Sequence, residues 1–158
     1  MGVSVRVKVA QPVAITELLV RILTPRRLVF EGPAERVELT TLDGIIEILP
    51  RHEALMTPLA IAPMILTPPN GAASLTFAVL GGFLDLDGLE ATILADSAEK
   101  GSEVDVERAR LAMQRARDRL AENARANSEA SVDVDRAQLA LVRSITRLRA
   151  AGQPPRIG

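Results

Sequence analysis

Between Val104 and Ala151 the chain has neither proline nor glycine, whereas eight of its ten prolines and seven of its ten glycines precede residue 100. Proline removes a backbone donor and glycine costs conformational entropy, so both punctuate short strands and interrupt helices. A stretch free of both, and rich in Ala, Leu, Arg and Glu, is composed for helix. The distribution therefore predicts mixed β then α: an N-terminal antiparallel β-sandwich followed by a C-terminal two-helix antiparallel hairpin. The expected divisions are an N-terminal extension over 1–16, the sandwich over 17–98, the hairpin over 102–151 and a tail over 152–158.

The first half reads as short strands between turns. Leu18 to Leu23 alternates and ends at Thr24-Pro25, and Arg27 to Glu31 leads to a turn expected at Glu31-Gly32-Pro33. Ala34 to Thr41, Ile45 to Leu49, Ser74 to Leu80, Phe83 to Leu86 and Glu90 to Ala95 follow, separated by Asp43-Gly44, Pro50, Gly81-Gly82 and Asp87-Gly88. Asn70-Gly71 favours positive φ in a tight connection. Many short strands with turn chemistry between them form an antiparallel sandwich. Val3 to Val9 also alternates, as an extra edge strand or a flexible arm.

The second half carries an internal repeat. Val104-Asp105-Val106-Glu107-Arg108-Ala109 recurs as Val132-Asp133-Val134-Asp135-Arg136-Ala137, and the match continues at Arg115/Arg143, Arg119/Arg147 and Leu120/Leu148. Each copy starts with Asp at an expected N-cap, with a second acid where the helix dipole favours negative charge. Ala109, Ala112, Met113, Ala116 and Leu120 share one face. Ala137, Ala140, Leu141, Ser144, Ile145 and Leu148 share another. Asn123 to Ser131 is the expected connector. Because Ala buries little area, docking stabilises each helix modestly at about 25 cal/mol per Å². The hairpin thus suits either permanent packing or detachment.

Composition narrows the chemistry. The chain contains no Cys, no Trp, no Tyr, three Phe and one His, His52, at a formal net charge of -1. Disulfides, thiolate metal sites and multi-His centres are excluded, so no metal site is expected. Few aromatics and a near-neutral charge count against a nucleic-acid surface. No Ser/His/Asp order, phosphate-cradling glycine loop or carboxylate cluster stands out, so no catalytic residue is assigned and the chain is not expected to be an enzyme by itself. The apolar stretch Leu59 to Leu66 falls far short of the roughly 20 residues of a spanning helix. The N-terminus lacks an apolar signal core, which places the chain in a cytoplasm-like compartment.

Five segments in order carry a family resemblance. Leu19-Val20-Arg21-Ile22-Leu23-Thr24-Pro25 with Val29-Phe30-Glu31-Gly32 resembles the opening of the epsilon subunit of F-type ATP synthases. Ile48-Leu49-Pro50-Arg51-His52-Glu53-Ala54-Leu55-Met56-Thr57 is similar to that family's "I-L-P-G-H-A-P-L-L-T" loop. Gly81-Gly82-Phe83 and Thr92-Ile93-Leu94-Ala95-Asp96-Ser97-Ala98-Glu99 resemble its "G-G-F" hairpin and "V-T-V-L-A-D-T-A-E" strand. Val104-Asp105 through Ala109 is similar to its "I/L-D-x-x-R-A" helix start.

The resemblance implies a non-catalytic central-stalk subunit, one copy per complex, linking the gamma subunit to the membrane c-ring. It implies a hairpin that inhibits ATP hydrolysis by extending toward the alpha/beta catalytic subunits. The implied location is the cytoplasmic face of a bacterial plasma membrane, peripheral and held through the complex. Matched to the family's rotor-contact loop are Ile45, Glu47, Arg51 and His52. Glu47 and Arg51 replace family glycines and Ile45 replaces an acid, so the loop departs from the family contact; Ile45 on an exposed loop tip would suit an apolar contact with a partner. Matched to positions that bind ATP in some bacterial members are Glu99, Asp105, Arg108, Ala109, Arg115, Arg143 and Arg147. No cofactor is required; ATP would be a regulatory ligand, with guanidiniums on its triphosphate and Asp105 accepting from adenine or ribose. The same arginines also suit solvated ion pairs with Glu107, Asp118 and Asp135. A second function fits the bare pattern: a free-standing β-sandwich adaptor whose hairpin docks an unrelated protein.

Overall fold

Bending two long strands through two layers is how this chain builds a core with little aromatic bulk. The computed structural model describes residues 16–126 and 131–155. Eight strands precede the helices: β1 (Leu18–Leu23), β2 (Leu28–Ala34), β3 (Arg36–Thr41), β4 (Gly44–Ile48), β5 (His52–Thr67), β6 (Leu75–Gly88), β7 (Glu90–Ala95) and β8 (Ala98–Lys100). A 3₁₀ turn at Gly101–Glu103 leads to α1 (Val106–Ala126) and α2 (Ser131–Ala150). Strand order is β2-β1-β7-β6-β5-β3-β4, with β8 added on β6. The expected β-sandwich and helical hairpin are both present, but the sandwich is not antiparallel throughout, since β1 runs parallel to β7. The reading of Val3 to Val9 as an added strand lies outside the described residues.

β5 and β6 pair from His52↔Gly88 to Leu66↔Leu75. One half of β6 lies beside β7, the other beside β8. Between them, Gly81 and Gly82 have φ of 92° and 122°. A side chain on Gly82 would strike the backbone of Leu94 and Ala95. The inward alternation shifts at this point. Phe77 and Val79 face the core before the glycines, Leu84 and Leu86 after them. Gly81-Gly82 is thus a bend inside one strand, not the expected gap between two, because left-handed glycine kinks a strand without ending its ladder.

β5 is absent from the sequence reading because Pro58 and Pro63 argue against a central strand. Pro63 falls where the β3 register jumps from Glu38↔Ile65 to Thr41↔Leu59, and Pro58 lies just beyond the last β3 pair. Neither proline has a β3 partner, so the β3 ladder asks no donor of them, and both stay in register with β6 at Phe83 and Ala78. The turn expected at Glu31-Gly32-Pro33 is likewise strand: β2 is an edge, where proline is tolerated, and Pro33 pairs with Leu19. The interior is filled by Leu18, Val20, Ile22, Val37, Ile48, Met64, Leu66, Phe77, Leu84 and Ile93 with their buried neighbours. Phe30 meets Phe77 edge-to-face at 5.4 Å.

The helices stack in sequence on this frame: α2 packs on β5 and β6, and α1 packs on α2. Ala109, Ala116 and Ala137 are buried, as their spacing predicts, whereas Ala140 is exposed. Asp105 caps α1, its Oδ1 accepting the Arg108 N–H at 3.0 Å. Asp133 is not an N-cap, because α2 begins at Ser131 and places it in the first turn. Helix α1 also continues through residues 123–126, into the expected connector.

Arg51, just before β5, holds φ at 67°. That region costs an L-residue about 1–2 kcal/mol, partly offset in glycine by about 0.5–1 kcal/mol of chain entropy. Arg51→Gly is expected to raise the melting temperature by about 2–4 °C for a chain of this size. Calorimetric unfolding of the two proteins checks this, and an unchanged midpoint would show that Arg51's own contacts offset its backbone cost.

Candidate functional site

Residues from three elements meet where the sandwich hands the chain to the hairpin. Pairing of β8 with β6, Ala78↔Glu99 and Phe77↔Lys100, fixes Glu99 at the layer's edge. The capped start of α1 presents Asp105, Arg108 and Ala109, and the last turns of α2 bring Arg147. With Ala112 they line a cavity of about 270 Å³. Arg147 Nε donates to Glu99 Oε1 at 2.7 Å, with side chains 29% and 30% exposed. Partial burial strengthens such a charge-assisted bond relative to one on the open surface. Among the described residues, Arg108 makes no salt bridge. Ala109 is buried, and its small side chain leaves room between the helices and β8.

Five of the seven residues matched to ATP contacts therefore converge: Glu99, Asp105, Arg108, Ala109 and Arg147. Arg115 and Arg143 do not. Arg115 is exposed on α1 away from the cavity lining. Arg143 instead lines a groove of about 670 Å³ beside Asp96 and Asp135. The cavity thus offers two guanidiniums and two carboxylates rather than an arginine cluster. Ala112 is the lining residue the sequence reading missed; its signal was the four-residue step from Arg108, which puts both on one helix face. Of the ion pairs considered for the arginines, Glu107 pairs with Arg110 at 2.9 Å, and Asp118 accepts from Gln114 at 2.8 Å.

The loop candidates occupy two places. Ile45 is 72% exposed and lies in β4 rather than on a loop tip. Glu47, two residues on, faces Arg36 at 3.5 Å. Arg51 donates its backbone N–H to Gly88 O, and His52 opens β5 paired with Gly88, its Nδ1 2.8 Å from Glu53 O.

A third surface was not legible in the sequence. Leu28, Leu23, Leu94, Phe83 and Pro58 are successive register partners across β2, β1, β7, β6 and β5. All point away from the core, and Leu28, Leu94 and Phe83 are 49%, 50% and 53% exposed. The next outward row is polar on four strands, Glu31, Arg21, Thr92 and Asp85, and ends in β5 on Met56, which is 71% exposed; Arg21 is bonded to Glu31 at 3.0 Å and Glu90 at 3.2 Å. Five aligned apolar side chains, extended by Met56 on β5 and flanked by charge on β2 and β1, have the composition of an interface.

Two family profiles match in order. Residues 17–101 match "ATP synthase, Delta/Epsilon chain, beta-sandwich domain", and residues 102–152 match "ATP synthase, Delta/Epsilon chain, long alpha-helix domain". The chain is 42% identical over 107 residues to the ATP synthase epsilon chain of Brevibacillus brevis, covering 68% of this chain and 80% of that one. It is 39% identical over 139 residues to the epsilon chain of Moorella thermoacetica, covering 85% and 96%. In fold it is similar to a chain of the Euglena gracilis mitochondrial ATP synthase OSCP/F1/c-ring structure, at a TM-score of 0.71 and 19% identity, over 86% of this chain and 81% of that one.

Proposed function

Because the chain belongs to the delta/epsilon chain family of ATP synthases, we propose that it is the non-catalytic epsilon subunit of the central stalk, linking gamma to the c-ring and restraining ATP hydrolysis through its hairpin. The observation that carries this reading is the ordered likeness through both domains, 139 residues with the Moorella relative. Either domain alone would serve an adaptor equally well. The outward row Leu28–Leu23–Leu94–Phe83–Pro58 supports a broad apolar contact with gamma. Exposed Ile45 suits a second apolar contact with the ring, near His52 and Arg51 in sequence. No described helix is long and apolar enough to cross a membrane. A peripheral place on the cytoplasmic face, one copy per complex, follows from the proposed role. Recovery of the catalytic and ring subunits on a tagged full-length chain tests it; a chain recovered alone from cells making the complex would remove it.

ATP is the proposed regulatory ligand of the junction cavity. At about 270 Å³ it lies just under the roughly 300–1,000 Å³ of small-molecule pockets. It therefore holds part of a nucleotide, with the rest at the mouth. Arg108 supplies a guanidinium not engaged by a carboxylate among the described residues. Arg147 would exchange Glu99 for phosphate oxygens, leaving Glu99 and Asp105 to accept from ribose hydroxyls or the adenine amino group. Asp105 spends one oxygen lone pair on the Arg108 N–H, and its remaining sites are available. Calorimetry of the full chain with ATP is expected to give saturable heat, weakened at least about tenfold by Arg108→Ala, the loss of one charge-assisted contact. No heat at millimolar ATP with the unmodified chain would remove the ligand and leave the stalk role standing.

A further inference from the structure

Helix α2 is held to the sandwich at one end. Its last turn makes three anchoring contacts. Thr146 Oγ1 donates to Ile61 O at 3.4 Å. Arg147 bonds Glu99. The Ala150 carbonyl lies against the backbone of Gly101, so closely that any Cβ at Gly101 would strike it, with Thr76 O crowding the same space. Toward its N-terminal half, α2 is parted from the strands by the groove whose walls are Leu42, Leu59 and Leu80 on one side and Leu139 and Val142 on the other.

The hairpin is closed on itself by different residues. Beyond α2, Gly152 takes a φ of 69°. Gln153 donates its N–H to Leu148 O at 2.8 Å, and its Oε1 accepts from Arg110 of α1 at 3.2 Å. The ties within the hairpin and the ties to the sandwich are thus separate sets. Breaking the second set leaves the first intact, so the two helices can leave as one body.

We propose that the last turn of α2 and Glu99–Gly101 form a latch that closes without a ligand, and that Gly101 is the positioning residue that lets it close. Glu99 already neutralises Arg147, so no phosphate is needed to satisfy that guanidinium. Gly101 contributes no side-chain contact. Its part is to leave the space that the Ala150 carbonyl fills, and a methyl group there has only backbone to push against. The latch rests on the reading that the hairpin exchanges between docked and released positions, but not on ATP binding or on hydrolysis control.

The chain has no cysteine, so two introduced labels report its geometry cleanly. Spin labels at Asp85→Cys and Arg117→Cys, on exposed positions of the sandwich and α1, measure docking in the nucleotide-free full chain. The latched chain is expected to give one distance. Gly101→Ala is expected to add a longer, broader population and to raise amide exchange across α2 at least about tenfold, as forcing a carbon into filled space does, with helix content unchanged. A single unchanged distance in folded Gly101→Ala overturns the proposal, and so does a mixed distribution in the unsubstituted nucleotide-free chain. Should Gly101→Ala not fold, Arg147→Gln decides, since it removes only the ion pair: a longer population supports the latch, and an unchanged distance overturns it. Hydrolysis by the complex does not enter these readouts, so failure here is distinct from failure of the stalk role.

Discussion

Ending the chain after Ser102 is expected to raise ATP hydrolysis by the complex several-fold while ion-driven synthesis stays coupled. The cut falls inside the 3₁₀ turn, after all eight strands and before both helices. Every residue of the principal core precedes it, the last being Ala98. The truncated sandwich therefore keeps its core and both outward contact surfaces. It loses the cover that α2 gives to β5 and β6, a modest loss because the residues α2 buries are mostly small: Ala137, Ser144, Thr146 and Ala150 beside Leu148. What it sheds in function is an arginine-rich lever: Arg108, Arg110, Arg115, Arg117, Arg119 and Arg125 on α1 and Arg136, Arg143, Arg147 and Arg149 on α2. In the proposed extended state these guanidiniums pair with acidic loops of the catalytic subunits and oppose rotation in the hydrolysis direction. Comparing hydrolysis and synthesis rates of membranes carrying the full or cut chain is the measurement. Equal hydrolysis rates would take away the inhibitory reading and leave the linking role untouched.

Phe83→Asp is expected to cost most of the recovery of the complex on a tagged chain, at least about tenfold. Interface energy concentrates in central aromatic and aliphatic anchors, and Phe83 stands between Leu94 and Pro58 in the apolar row. An aspartate there would place an unpaired carboxylate in a desolvated contact, a penalty of several kcal/mol. The isolated chain tolerates the change because the side chain is already 53% exposed and points away from the core. Unfolding of the isolated variant should match the parent closely. Undiminished recovery would mean that the row is not the stalk contact.

Much of the fold was legible because it rests on local chemistry. β1 and β7 have the bounds that alternation and turn residues predict. Asn70 and Gly71 both adopt positive φ, 63° and 68°, the turn that an Asn-Gly pair favours. The errors came where a tertiary neighbour overrode a local signal. Prolines in β2 and β5 read as breakers until the edge and the register jump remove the need for their donors. Gly81-Gly82 read as a gap until its bend is seen to carry one strand across two layers. Asp133 read as a cap by analogy with Asp105, although α2 starts two residues sooner.

The site divides in the same way. The family resemblance marked Asp105, Arg108 and Ala109 together, and three and four steps along a helix do return to one face. The same resemblance offered Arg115 and Arg143 as partners, and the structure sends them elsewhere. The apolar row was hidden entirely, because its five members lie on five strands and become adjacent only through pairing register.

From residue order alone came the two-part architecture and the helix start at Asp105, consequences of composition and short-range periodicity, and, from five motifs in order, the resemblance to the family. Only the tertiary structure decided which arginine meets Glu99, since residues 48 positions apart are joined by how α2 is rotated and seated on the strands. It also decided why Gly101 must be glycine. A residue that reads in sequence as the last pause before a long helix is, in space, where the far end of the hairpin comes to rest.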